Sequence, residues 1–161
     1  MRENFRVETP EQILDVVQWA VAEEQAFDVC GLATKRDYGR PPRADINVLD
    51  ISGVSGIDLY EPGELVMSAA AATPMSEILA ALDEHNQRLP FEPPNLVPLL
   101  GSGSGAGSIG GLFACNLAGP RRISAGSARD HILGFHAISG RGEMFKSGGR
   151  VVKNVTGFDL S

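Results

Sequence analysis

Cysteine is nearly absent: of 161 residues only Cys30 and Cys115 carry a thiol, far apart in the chain. That excludes a disulfide framework and a cysteine-based zinc site, and it points to a reducing compartment with both thiols acting as small buried hydrophobes. Histidine is scarce as well. His85, His131 and His136 do not cluster with carboxylates at ligand spacing, so no metal site is expected and structural roles are favoured over catalytic ones. Excess positive charge is missing too: 14 Lys and Arg stand against 20 Asp and Glu, for a net charge of −6 and a pI near 5.0. A nucleic-acid binder or a binder of anionic membrane surfaces would show the opposite balance. No apolar run approaches the roughly 20 residues of a membrane span, and residues 1–12 have no apolar leader core. A cytoplasmic protein is expected.

Glycine and apolar residues are what the chain does have. Hydrophobic residues make up 43%, enough for a core in one domain of this length. Seven glycines and three serines fall within residues 101–120, GSGSGAGSIGGLFACNLAGP. Glycine admits positive φ and lets another group approach main-chain N–H donors, so such a run leading into a helical turn can receive an anion, phosphate first. A solvated Gly/Ser linker would not carry Ile109, Leu112, Phe113 and Leu117, so a packed loop is expected. A P-loop needs Lys and Ser/Thr after its last glycine, where Leu112 and Phe113 stand. A dinucleotide fingerprint matches formally at Gly105, Gly107 and Gly110, with Asp130 at about ribose distance. Its context fails, because the Pro93–Pro98 segment is a poor central strand and Gly119-Pro120 ends any helix within about two turns.

Along the chain, Thr9-Pro10 with Gln12 at the third helical position predicts a capped helix whose inner face is Ile13, Val17, Ala20 and Val21, with Trp19 packing. Strands are expected at Phe27–Cys30, Ile46–Ile51 and Leu65–Ala69, the last after a turn at 61–64. Thr73-Pro74 repeats the helix-start device, Thr73 as cap, for a helix ending near His85-Asn86. Three prolines keep Leu89–Pro94 extended. Ile132–Ile138 and Glu143–Lys146 read as a hairpin around Ser139–Gly142.

The motifs together resemble a known family. GSIGG at 107–111, then Ala114, Asn116, Gly119 and GSARDHILG at 126–134, are similar to the flavin loop of the vanillyl-alcohol oxidase / p-cresol methylhydroxylase (PCMH-type) FAD domain. More narrowly, GPRR at 119–122 and GGRVVKNVTGFDL at 148–160 resemble the E subunits of bacterial glycolate oxidases. The resemblance runs from about Glu11 to Ser161 and implies an α+β fold in two parts, a small N-terminal α/β part at roughly 1–60 and a larger mixed-sheet part at 61–161. It also implies that the rest of the FAD domain and a substrate domain lie beyond this sequence.

By the same resemblance, Gly31, Thr34, Lys35 and Gly39 form a first loop whose amides hold the FAD pyrophosphate, with Ala33 where glycine is usual. Thr73 and Pro74 lie in a second family motif, with Ala72 again in place of glycine. The amides of Gly107, Ser108, Ile109, Gly110 and Gly111 would face phosphate or ribityl oxygens. Arg129 and Asp130 would lie near the flavin, or form an ion pair at a loop corner. Arg121 and Arg122 would neutralise phosphate, meet a partner or sit in solvent, and Lys153 and Asn154 would lie at the cofactor edge. With no His or Cys in 31–39, FAD attachment should be non-covalent.

The implied activity is oxidation of glycolate or a related small 2-hydroxy acid to the 2-oxo acid, in a complex with a second flavin subunit and an iron-sulfur subunit that is peripheral to the inner membrane. This chain would be inactive by itself, and no residue is assigned as catalytic base. The alternatives are another FAD-linked oxidoreductase of the fold, of D-lactate dehydrogenase type, or a scaffolding subunit with a decayed flavin site.

Overall fold

Helix α1 (Pro10–Ala22) starts as its sequence dictates. Thr9 is the N-cap, its Oγ1 accepting the Gln12 N–H at 3.3 Å, and Pro10 fills the first turn where no N–H is needed. The Gln12 side chain reaches past Thr9 and accepts the Glu8 N–H at 2.7 Å, so the reciprocal half of the cap lies one residue further out than a capping box. The structure, a computed structural model, describes residues 3–41, 43, 45–100 and 105–149. Lys153, Asn154 and most of the 148–160 motif lie outside the described residues.

Strands β1 (Asn4–Arg6), β2 (Phe27–Cys30) and β3 (Asn47–Asp50) form a parallel sheet in the order β1-β3-β2. Parallel neighbours need long crossovers. Helix α1 carries the chain from β1 to β2, and the first glycine loop lies in the second crossover, leaving the C-terminal end of β2 where open parallel sheets receive ligands. Ile13, Val16 and Val17 of α1 pack with Phe5, Phe27, Val7, Leu49 and Val54 as one apolar cluster. Trp19 is packing, as its pattern suggests, with ring centroids 5.1 Å from Phe5 and 6.1 Å from Phe27.

The rest of the described chain is antiparallel. Strands β4 (Ile57–Glu61) and β5 (Val66–Ala69) form one hairpin, and β6 (Gly134–Ile138) and β7 (Met144–Gly148) another. Leu65, expected to open a strand, sits in the preceding turn at φ +58° and is exposed. Helix α2 (Met75–Asp83) buries Met75, Ile78 and Leu82 in a second core with Phe91, Leu112, Leu117 and Ala128. Burying apolar side chains of this size is the main force holding α2 to the loops around it.

Two local expectations are corrected. Thr73 does not cap α2: the N-cap is Pro74, without a side-chain bond, because the Thr73 hydroxyl is drawn elsewhere. It accepts the Gly56 N–H at 2.9 Å and lies 2.7 Å from the Ala70 carbonyl. The Leu89–Pro94 segment is not extended throughout: the Glu92 N–H donates to the Leu89 carbonyl at 3.3 Å and Glu92 takes φ +48°. That turn drops Phe91 into the core. Short helices α3 (Val97–Leu100), α4 (Ile109–Ala114) and α5 (Arg122–Ala125) and a 3-10 turn (Ala128–His131) are the remaining elements among the described residues. Among the described residues no helix is long and apolar enough to cross a membrane.

Candidate cofactor site

The second glycine loop is packed, not solvated, over residues 107–111, where its backbone is pinned to the segment before α2; its residues 101–104 lie outside the described residues. The Met75 N–H donates to the Gly107 carbonyl at 2.8 Å, the Ile109 N–H to Thr73 at 3.0 Å and the Gly110 N–H to Ala71 at 2.8 Å, around a bridge between Pro74 and Ser108. Ser108 caps α4, its hydroxyl accepting the Gly111 N–H at 3.3 Å. Helix α4 ends at Ala114, and Asn116 follows at φ +46° in the left-handed region suited to a helix C-terminus.

These bonds correct the expectation that all amides of 107–111 face a cofactor. Those of Ile109, Gly110 and Gly111 are committed within the chain, and Gly107 and Ser108 keep N–H groups with no acceptor among the described residues. Gly110 is glycine for packing: a Cβ there would stand 2.6 Å from the Ala71 carbonyl oxygen and 2.8 Å from its Cβ. Gly119 is likewise closed by the Glu92 carbonyl, 2.5 Å from where its Cβ would be.

The first loop meets the second at Gly107 and Gly111. Gly107 has φ +82°, and a Cβ on it would lie 2.5 Å from Thr34 Oγ1 and 2.7 Å from Lys35 Nζ; on Gly111 it would lie 3.6 Å from the same Nζ. Gly31 approaches Ser108 Oγ in the same way, at 3.6 Å. Thr34 and Ser108 are buried. The Thr34 hydroxyl has no hydrogen-bond partner among the described residues, and no carboxylate there pairs with Lys35. Burial pushes the Lys35 ammonium below the ordinary lysine value, with Cys115 nearby opposing the shift. An orphaned hydroxyl, a half-buried cation and two unbonded amides, gathered around Gly107, fit a ligand carrying several anionic oxygens.

Ala33 takes φ +59°, so the alanine in place of glycine is a strained left-handed residue. It lines a recess of about 420 Å³ with Gly31, Arg36, Val48 and Asp50. Ala72 is different: it is buried, its N–H bonds the Val54 carbonyl at 2.9 Å, and it is not among the positive-φ residues. Gly39 has φ +105° with open space around its Cα. Arg36 pairs with Asp28 and reaches toward the Cys30 thiol, which burial pushes up.

Asp130 is a capping residue. Its Oδ2 accepts the Ser127 N–H at 2.7 Å and the Ser127 hydroxyl at 2.9 Å, bonds that hold the carboxyl below its ordinary value. Asn116 Oδ1 accepts the Arg129 N–H at 2.9 Å, so these two candidates are joined through the backbone. Arg121 lies 3.9 Å from Glu92 at the surface. His131 bonds the Ala125 carbonyl and lies against Phe91, and His85 packs edge-on to Tyr60. Among the described residues no group of His, Cys, Asp and Glu is arranged to hold a metal. Sequence reading missed Ala71, whose carbonyl and small side chain receive Gly110; nothing in an alanine advertises that role.

The chain is 41% identical over 149 residues to the glycolate oxidase subunit GlcE of Escherichia coli, covering 92% of this chain and 40% of that protein. It is 23% identical over 161 residues to a D-lactate dehydrogenase of Archaeoglobus fulgidus, covering 98% of this chain and 34% of the relative. A 54-residue stretch is 33% identical to the glycolate oxidase subunit GlcD of Bacillus subtilis, covering 34% of this chain and 12% of that protein. The crystal structure of aclacinomycin oxidoreductase superposes with a TM-score of 0.60 at 20% identity, over 89% of this chain and 28% of that one, which shows the shared fold. The chain thus spans well under half the length of these relatives. The family described as FAD binding domain matches residues 4–148. The chain belongs to that FAD binding domain family, and FAD is its cofactor.

Proposed function

We propose that this chain is the flavin-binding part of a glycolate oxidase E-type subunit, acting on glycolate or a related small 2-hydroxy acid. The carrying observation is the 41% identity to the Escherichia coli subunit across 92% of this chain. Bound FAD would supply the acceptor for a hydride from the substrate's α-carbon and pass the electrons onward. This chain's own work is to bind and orient. The amides of Gly107 and Ser108 and the loop that carries Thr34 and Lys35 would hold the pyrophosphate without a covalent link. Gly31, Gly39, Asn116 and Arg129 would shape the adjoining loops, and the Thr73–Ala71 backbone would keep the second loop in register.

The partners in this reading are a second flavin subunit and an iron-sulfur subunit, in a cytoplasmic complex peripheral to the inner membrane. Similarity to the GlcD subunit, a named part of glycolate oxidase, supports a multi-subunit setting. A D-lactate dehydrogenase activity is the second reading, supported by the Archaeoglobus relative at lower identity. Anaerobic mixing of the purified complex with glycolate, D-lactate and D-2-hydroxyglutarate decides between them. Fastest flavin bleaching by glycolate is expected; preference for D-lactate would replace the first reading with the second, and no bleaching by any of the three would reject both.

A further inference from the structure

We infer that Lys35 is the cation that neutralises the FAD diphosphate, bridging the two glycine loops, and that it is kept there at the expense of the stability of the cofactor-free protein. The inference rests on FAD being the ligand and adds to it which side chain carries the charge recognition. Three observations converge. Lys35 Nζ lies between Gly107 and Gly111, close enough that a Cβ at either would touch it, at 2.7 and 3.6 Å. The neighbouring cation, Arg36, is paired with Asp28 and contacts Cys30, so its charge is already engaged. The buried Thr34 hydroxyl beside it also has no partner among the described residues, although a buried hydroxyl normally finds one.

An ammonium withdrawn from water without a counter-charge destabilises the fold that holds it, and a hydroxyl left unbonded adds to that. Both are relieved together by a ligand presenting adjacent anionic oxygens. FAD offers these only at its diphosphate, since the isoalloxazine and adenine are uncharged and planar. The chain as a whole is acidic, at −6, so its overall field repels the cofactor and the local positive charge must come from the loop. Charge-assisted bonds of this kind are the strong ones in a partly desolvated site. The ammonium belongs to the first loop and its glycine walls to the second, so the bound diphosphate would also tie residues 33–36 to 107–111.

The test uses the intact protein, stripped of flavin, with Lys35→Met and Lys35→Gln. FAD binding is followed by flavin fluorescence, ADP binding by competition, and cofactor-free stability by thermal melting. Both variants should bind FAD and ADP roughly ten- to a hundredfold more weakly and show a shallower dependence of affinity on salt. Their cofactor-free melting temperatures should equal or exceed that of the unaltered protein. Unchanged FAD affinity in both variants overturns the inference. So does a loss confined to FAD with ADP unaffected, which would put Lys35 at the flavin half. A drop in cofactor-free melting temperature alongside the affinity loss also overturns it, because Lys35 would then be a structural strut. If the unaltered protein binds no FAD, the underlying cofactor reading fails with it.

Discussion

Two alanines occupy positions where the resembled family writes glycine, and the structure assigns opposite signs to restoring it. Ala33 sits at φ +59°, where an L-residue pays about 1–2 kcal/mol for the clash of Cβ with the following carbonyl. Glycine removes that strain but adds roughly 0.5–1 kcal/mol of unfolded-state entropy, so Ala33→Gly should stabilise by about 0.5–1 kcal/mol. In a chain of this size that is a rise of about 1–4 °C in melting temperature. Ala72 has no left-handed strain and its methyl is buried. Ala72→Gly therefore forfeits the burial of one methyl, about 0.8 kcal/mol, and adds the same entropic term, for a loss of about 1–2 kcal/mol. Urea denaturation of the cofactor-free variants measures both. Ala33→Gly should also tighten FAD binding by relaxing the loop that holds Thr34 and Lys35, whereas Ala72→Gly should not. A destabilised Ala33→Gly, or two variants that shift in the same direction, would refute the assignment of strain to one position alone.

Gly110→Ala should cost about 2–4 kcal/mol of stability, since its Cβ would meet the Ala71 backbone at 2.6 Å, and thermal melting of the cofactor-free variant reads it directly. Thr73→Val should cost about 2–3 kcal/mol by leaving the Gly56 N–H without its acceptor, seen as a lower urea midpoint at unchanged slope. The Ser127–Asp130 cap gives a pH prediction: the folded pKa lies below the unfolded value of 3.8, so its stabilisation is present above that value and is lost as pH falls through the lower folded pKa. Asp130→Asn should accordingly flatten the acid limb of the stability profile between those two values.

Much of the fold was legible where local chemistry and tertiary packing agree. Thr9-Pro10 and the apolar spacing after it mark α1 because cap and buried face, on different residues, predict the same helix, and Phe27–Cys30 reads as a strand because it is short, mainly apolar and bounded by a glycine. Thr73-Pro74 carries the same local signal, yet its hydroxyl finds a better partner in Gly56, which no local pattern encodes. Strand β1 is only three residues with polar ends, and Pro98 conceals the single turn of α3. At the site, glycine positions were readable but their reasons were not. A glycine that admits a side chain from another loop and one that admits a neighbouring backbone look alike in sequence; only the contacts separate Gly107, facing Thr34 and Lys35, from Gly110, closed by Ala71. The orphaned Thr34 hydroxyl and unpaired Lys35 ammonium were legible as loop residues, not as unsatisfied groups.

The central claim, non-covalent FAD held where the two glycine loops meet, is tested most directly by denaturing the purified intact protein and identifying the flavin it releases. FAD is expected in the supernatant at one per chain, reduced to a small fraction in Lys35→Met purified the same way. Flavin that stays with the denatured polypeptide, or a protein that neither carries nor takes up FAD, would contradict it.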